Sequence, residues 1–276
     1  MEFLPLEFFE ELLIITSRDE PFASRASLLS GRPGSCAEVF SQHRHGKCFL
    51  VINGKVEGVG YSGIEGNMLP FQDYLPKYQE YAAIHFRATT AELPPLDKNF
   101  VRRFLSEPGM HELILTGPNV VNDEWINELA SWESLRAVRN SECKGNAERL
   151  LRMLLDKKQL LSAHFYDCAK TEFYLGCEFL EQEQFLRLFY ERCAEEDMKR
   201  FLDLGHQRKW SGKTVSWNGK VSLRGLNMEK RVRTEKDRLR YESPTCVVEY
   251  CNPNGALEMS DEEFLKGTIK TYVRFL

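Results

Sequence analysis

The sequence predicts an α/β fold of repeated strand–helix units resembling an irregular leucine-rich-type solenoid. Three observations carry that expectation. From Tyr81 to about Tyr190, short apolar runs, polar turns and amphipathic helical stretches recur. The runs are YAAIHFRA (81–88), HELILTG (111–117), LRAVRNS (135–141) and LLSAHFYD (160–167). They repeat at a step of about 24 to 30 residues, the period of solenoid units or of a run of βα units.

The helices between them carry their own start and stop signals. Asp97 is a candidate N-cap for a helix with Phe100, Val101, Phe104 and Leu105 inward, and Pro108-Gly109 stops it. Asn122 or Asp123 caps a second, with Trp125, Ile126, Leu129 and Trp132 on one face. The third places Leu150, Leu151, Met153, Leu154 and Leu155 on one broad face. A fourth is expected to place Phe179, Leu180, Phe185, Leu186, Leu188 and Phe189 on one face.

Upstream, Asn53-Gly54 between Cys48–Ile52 and Val56–Tyr61 is a strong hairpin signal. The GVGYSG that follows has the spacing of a dinucleotide loop. The residues after it, IEGNMLPF, cannot open the helix such a loop requires. Downstream, Gly205 is a plausible helix C-cap. Asn218-Gly219 suggests a second hairpin, Val215–Trp217 with Val221–Leu223. PTCVVEYCNPNG reads as a strand, and Ser260 with Glu263 reads as a capping box. The final TYVRFL is a last strand or a packed tail.

The net charge of −4 argues against broad attraction to nucleic acid or an anionic membrane. No stretch approaches the ~18 apolar residues of a spanning helix. Glu2 and Glu7 stand where an export signal needs basic residues, so cytoplasm or nucleus is expected. In such a compartment the eight cysteines are thiols.

The opening MEFLPLEFFEELLIIT is a helix with Pro5 in its first turn and acidic residues at its positive end. Leu4, Pro5, Glu7 and the Leu12–Leu13 pair resemble the first helix of an F-box. More widely, LPLEFFEELL, LLSGRPGSCAEVF, VINGKVEGVGYS, VVEYCNP and DEEFLKGTIKTYVRFL are similar to nematode lineage-specific F-box-like proteins. The segment after the first helix departs from the F-box pattern, with Gly31, Pro33 and Gly34 and no tryptophan before Trp125. The resemblance implies a non-enzymatic protein-recognition adaptor, a substrate receptor of a Skp–cullin–F-box ubiquitin ligase. Leu4, Pro5, Phe8, Leu12 and Leu13 would then dock a Skp-type adaptor. The expected organisation is an F-box-like helical segment (1–45), a hairpin and linker (46–80), the strand–helix repeats (81–205) and an α+β region (206–276).

Polar and aromatic residues alternate along the repeat strands. His85, Arg87, Arg136, Arg139, His164 and Tyr166 form a row that either meets a target protein or is a solvated edge. The other function class is a stand-alone protein with a zinc-binding loop. Cys36, His43, His45 and Cys48 supply four zinc-ligand types within one short segment. Their spacing is not that of a common finger, which favours exposed histidines between two buried thiols. Cys143 lies beside Lys144, whose charge would lower a thiol pKa. No G-x-S-x-G, Walker A or H-E-x-x-H motif occurs, and no enzyme class gains support.

Overall fold

Strand and helix alternate along this chain because its apolar period switches repeatedly between two and about 3.6 residues. A computed structural model describes residues 8–9, 13, 29–62, 75–87, 97–117, 120–208, 210–223, 228–231, 233 and 235–276. The expectations for Leu4, Pro5, Leu12, Gly63 and Gly66 lie outside the described residues. The chain divides into two compact units, Met1–Ala137 and Val138–Leu276.

The first unit begins with Phe8, Phe9 and Leu13 in helical conformation. Helix α1 (Arg32–His43) follows, with proline in its first turn. Phe9 and Leu13 pack with Cys36, Ala37 and Phe40 of α1 and with Tyr78. Strands β1 (His45–Ile52) and β2 (Lys55–Ser62) pair antiparallel. Asn53 and Gly54 turn between them at φ 46° and 80°, the left-handed pair that such a two-residue turn demands. Strand β3 (Gln79–Arg87) runs parallel to β1, and β4 (Met110–Thr116) parallel to β3. With β5 (Leu135–Asn140) the order is β2-β1-β3-β4-β5.

Helices α2 (Lys98–Leu105) and α3 (Asp123–Ala130) start at the expected caps. Asp97 accepts from the Asn99 N–H, and Asn122 from the Trp125 N–H. Gly109 has φ 84°, and a Cβ there would stand 2.6 Å from the Glu80 carbonyl, so the α2–β4 turn requires glycine. Aromatic rings join the layers. Phe49 of β1 meets Phe100 and Phe104 of α2 at 5.6 and 5.8 Å, and Phe86 of β3 meets Trp125 of α3 at 5.0 Å. Such ring pairs contribute about 0.5–1.5 kcal/mol each beyond the area they bury.

In the second unit α4 (Asn146–Lys157), β6 (Ser162–Asp167), α5 (Lys170–Leu180), β7 (Arg187–Arg192), α6 (Glu195–Arg208) and β8 (Thr214–Asn218) alternate. Strands β6, β7 and β8 are parallel neighbours. The remaining strands are β9 (Glu229–Lys230), β10 (Arg238–Glu242), β11 (Cys246–Cys251) and β12 (Lys270–Phe275), with α7 (Asp261–Lys266) before β12. They continue antiparallel from β8 in the order β8-β12-β11-β10-β9. Ser260 and Glu263 form the expected capping box of α7. TYVRFL lies in and after β12.

The α/β class therefore holds, but no leucine-rich-type repeat unit is evident in the topology. Antiparallel pairs flank the parallel strands, and the inward side chains do not recur in kind. They are Ala82, Ile84 and Phe86 in β3, His111, Leu113 and Leu115 in β4, and Leu188 and Tyr190 in β7.

Three local expectations fail for identifiable reasons. Phe185, Leu186, Leu188 and Phe189 do not belong to a fourth helix, because α5 stops at Leu180 and RLFYER alternates inward and outward as β7. The buried Lys213 ammonium fixes that connection by donating to the carbonyls of Gln182, Glu183 and Phe185 at 2.8, 2.6 and 2.5 Å. The second Asn-Gly hairpin does not form, because β7 and β12 occupy both edges of β8. Gly205 does not cap α6 but lies within it, and a Cβ there would stand 2.0 Å from the Phe275 ring. Glycine at that point lets helix and sheet approach closely. Among the described residues no helix is long and apolar enough to cross a membrane.

Replacing Lys213 with methionine keeps the stem but leaves three carbonyls without their shared donor. Lys213→Met is expected to lower unfolding free energy by about 2–4 kcal/mol, read by urea denaturation.

Candidate recognition surface

Side chains alternate along a strand, so helices on one face of a sheet cover one of its two rows. In the second unit that row is Leu188 and Tyr190 of β7, Val215 and Trp217 of β8, Val273 and Phe275 of β12, and Val248 and Tyr250 of β11. Helices α5 and α6 cover it. A Cβ on Gly176 of α5 would strike Leu188 and Tyr190, Phe201 of α6 lies 5.5 Å from Tyr190, and Gly205 of α6 abuts Phe275.

The opposite row carries different chemistry. Strand register aligns His164, Phe189, Ser216, Tyr272, Glu249 and Arg240 across six neighbouring strands. Beside it, Lys270 and Arg238 lie either side of Cys251 in the pairing. The Lys270 ammonium stands 4.5 Å from the Phe189 ring centre and 4.9 Å from that of Tyr272. The Arg238 guanidinium is 5.9 Å from the Tyr272 ring and forms an ion pair with Glu249. Tyr166 receives a 2.6 Å hydrogen bond from Arg192, whose guanidinium also lies over the ring. Of this row Arg240 is exposed, His164, Phe189, Tyr272 and Glu249 are half-buried, and Ser216 is buried. Along it Arg187, Arg238, Arg240, Lys270 and Arg274 outnumber Glu191, Glu242 and Glu249, against the acidic balance of the whole chain.

His164 registers that local field. Its ring meets Phe189 edge to face at 4.4 Å. Burial first, and then the charges of Arg139 and Lys270, depress its pKa to about 3. Glu191 approaches Nε2 at 3.1 Å but outside hydrogen-bond geometry, so it does not reverse the effect. The ring is therefore neutral at physiological pH.

The remaining row members stand elsewhere or face differently. In the first unit His85 of β3 pairs with the Thr116 hydroxyl of β4 at 2.8 Å, and Arg87 ends β3 exposed. Arg136 and Arg139 are three residues apart on β5, so strand alternation directs them to opposite faces. Arg139 is exposed and close enough to act on His164, whereas Arg136 is half-buried. Of the N-terminal docking candidates, Phe8 is 45% exposed while Leu13 is 3% exposed inside the cluster with α1.

The four zinc-ligand candidates do not converge. Cys36 is buried in the α1 cluster, and His43 stacks on Tyr78 at 5.4 Å. His45 faces the His43 carbonyl at 3.0 Å, and Cys48 lies within β1. Among the described residues no group of three or more His, Cys, Asp or Glu side chains could hold a metal ion. Lys144 does not activate Cys143 either. It pairs with Glu142 at 2.7 Å, and burial with the Glu172 charge pushes the thiol up to about 12.

Phe189, Lys270, Tyr272 and Arg238 are brought together by pairings between distant segments, which apolar periodicity alone does not show. The alternation in RLFYER, RLRYE and KTYVRF is the signal that finds them. Comparison with protein-family models, with curated proteins and with solved structures gives no match for this chain.

The depressed His164 pKa makes stability depend on pH. Below the ordinary value of 6.5 the unfolded chain takes up a proton that the folded ring refuses. Stability from this group is complete above 6.5 and falls as pH drops toward 3. His164→Gln is expected to flatten the loss between pH 6.5 and 4, by up to about 1.4 kcal/mol per pH unit. Urea unfolding of both proteins across that range reads the difference.

Proposed function

We propose that this chain is a non-enzymatic protein-recognition protein whose second unit receives an acidic, aromatic-bearing segment of a partner on the sheet face opposite α5 and α6. The observation that carries the reading is the aligned row from His164 to Arg240, with Lys270 bridging the Phe189 and Tyr272 rings. Carboxylates in a partner segment suit the excess of Arg and Lys, and its rings or apolar side chains suit Phe189 and Tyr272. The reading needs only uncovered strands, which a leucine-rich solenoid would also offer, and it does not depend on that repeat.

The F-box-like resemblance adds a second contact to the proposal. A Skp-type adaptor would approach the N-terminal helix from the side of the exposed Phe8, since Leu13 is engaged with α1. In that arrangement the chain is a substrate receptor of a cullin ubiquitin ligase, with the adaptor on the N-terminal segment and the target on the sheet of the second unit.

A fluorescent peptide of alternating Glu and Tyr, titrated with the full chain, tests the sheet face. Arg240→Glu with Arg274→Glu reverses two exposed charges and is expected to weaken binding at least about tenfold, with binding also falling as salt rises. A folded wild type that ignores the peptide, or a variant that binds it equally, contradicts the proposal. Preference for a single-stranded oligonucleotide would reassign the surface. Pull-down with a Skp-type adaptor beside Phe8→Asp tests the second contact, which is expected to be lost in the variant.

A further inference from the structure

Outside the sheet face, two thiols meet where neighbouring parallel strands end. Asp167 and Arg192 are register partners on β6 and β7, and the next residues are Cys168 and Cys193. The Cys168 N–H still donates to the Arg192 carbonyl at 2.9 Å, so the ladder extends to this level. Adjacent strands lie about 4.8 Å apart, inside the Cα separation of about 4.4–6.8 Å that a disulfide spans. The neighbouring Cys193 thiol first, then burial and nearby Asp197, favour the protonated form of Cys168. Both line one open cleft of about 550 Å³, together with Asp167, Arg192, Asp197 and Asn218.

Of the other cysteines of this unit, Cys251 in β11 is also partly exposed, and three are buried. Cys143, Cys177 and Cys246 are buried, with exposures of 3%, 4% and 1%. Cys168 and Cys193 are partly exposed at a cleft wide enough for a small reagent.

We propose that Cys168 and Cys193 form a redox-modification site, closing reversibly to an intramolecular disulfide by exchange with a small-molecule disulfide. One thiolate attacks a sulfur of the reagent, forming a mixed disulfide and releasing one reagent thiolate. The second protein thiolate attacks the protein-side sulfur, which breaks the mixed bond and releases the other reagent thiolate. The two protein thiol protons end on the two released thiols. The protein loses two electrons, and the reagent disulfide gains them. The closed loop would tie β6 to β7 at the edge of the cleft, without using any residue of the sheet-face row.

The test treats the full native chain with 2-hydroxyethyl disulfide, quenches in acid, alkylates the remaining thiols and maps peptides by mass. A Cys168–Cys193 linked peptide is expected to form at least about tenfold faster than any modification of Cys143, Cys177 or Cys246, and to disappear with dithiothreitol. Cys168→Ser and Cys193→Ser are each expected to stop at the mixed disulfide on the remaining thiol. If either variant fails to fold, the wild-type map alone decides. Both residues staying fully alkylated, or mixed disulfides persisting at both positions without closing, would overturn the site.

Discussion

One constraint runs through both units: the row of strand side chains that helices cover carries the large apolar and aromatic residues. A residue buried beneath a helix must be apolar or fully bonded, whereas its neighbour on the strand is free of that demand. Most aromatic residues follow this rule, while the buried indole N–H groups of Trp210 and Trp217 make no hydrogen bond among the described residues. Phe49, Phe86, Phe104, Trp125 and Trp132 fill the covered side in the first unit. Tyr190, Phe201, Trp210 and Phe275 do so in the second. Tyr190 is permitted there because its hydroxyl donates to the Glu172 carbonyl at 2.9 Å. Phe189 and Tyr272, one residue away from covered neighbours, face the opposite way and meet Lys270 instead.

Close approach between layers is the second half of the same constraint. Gly176 and Gly205 sit on α5 and α6 where any side chain would strike Leu188, Tyr190 or Phe275. Their presence brings the helix backbones against the sheet and lets large rings fill the space around them. Lys213 satisfies the carbonyls of the α5–β7 turn, so the chain can leave a helix and enter a strand within a few buried residues. These contacts set the register of β7, and the register of β7 sets the row that contains Phe189.

The elements with strong local signals were legible in the sequence. Asp97, Asn122 and Ser260 cap helices as their residue types require, and Asn53-Gly54 turns the β1–β2 hairpin. Local signals failed where tertiary partners decided. The Asn218-Gly219 pair has hairpin chemistry, and Gly219 does adopt φ 87°, yet its N–H bonds to the Ile269 carbonyl instead of closing a hairpin. LRLFYER satisfies apolar tests for helix and strand alike, and only its position beside β6 and β8 resolves it. The candidate site was half-visible for the same reason. The sequence marks His164 and Tyr166 by their alternation, but their neighbours on β7, β12, β11 and β10 depend on pairings between distant segments.

The central claim is that β12 presents one row to the helices and the other to an uncovered face. The most direct measurement compares thiol alkylation in two single variants, Val273→Cys and Arg274→Cys, each mapped by mass under native conditions. A thiol at 274 is expected to react at the rate of an exposed cysteine. A thiol at 273, where the native side chain is 1% exposed, is expected to react at least about a hundredfold more slowly, limited by opening of the helix layer. Equal rates at the two positions, or protection at 274, would mean that this face is covered and would contradict the account.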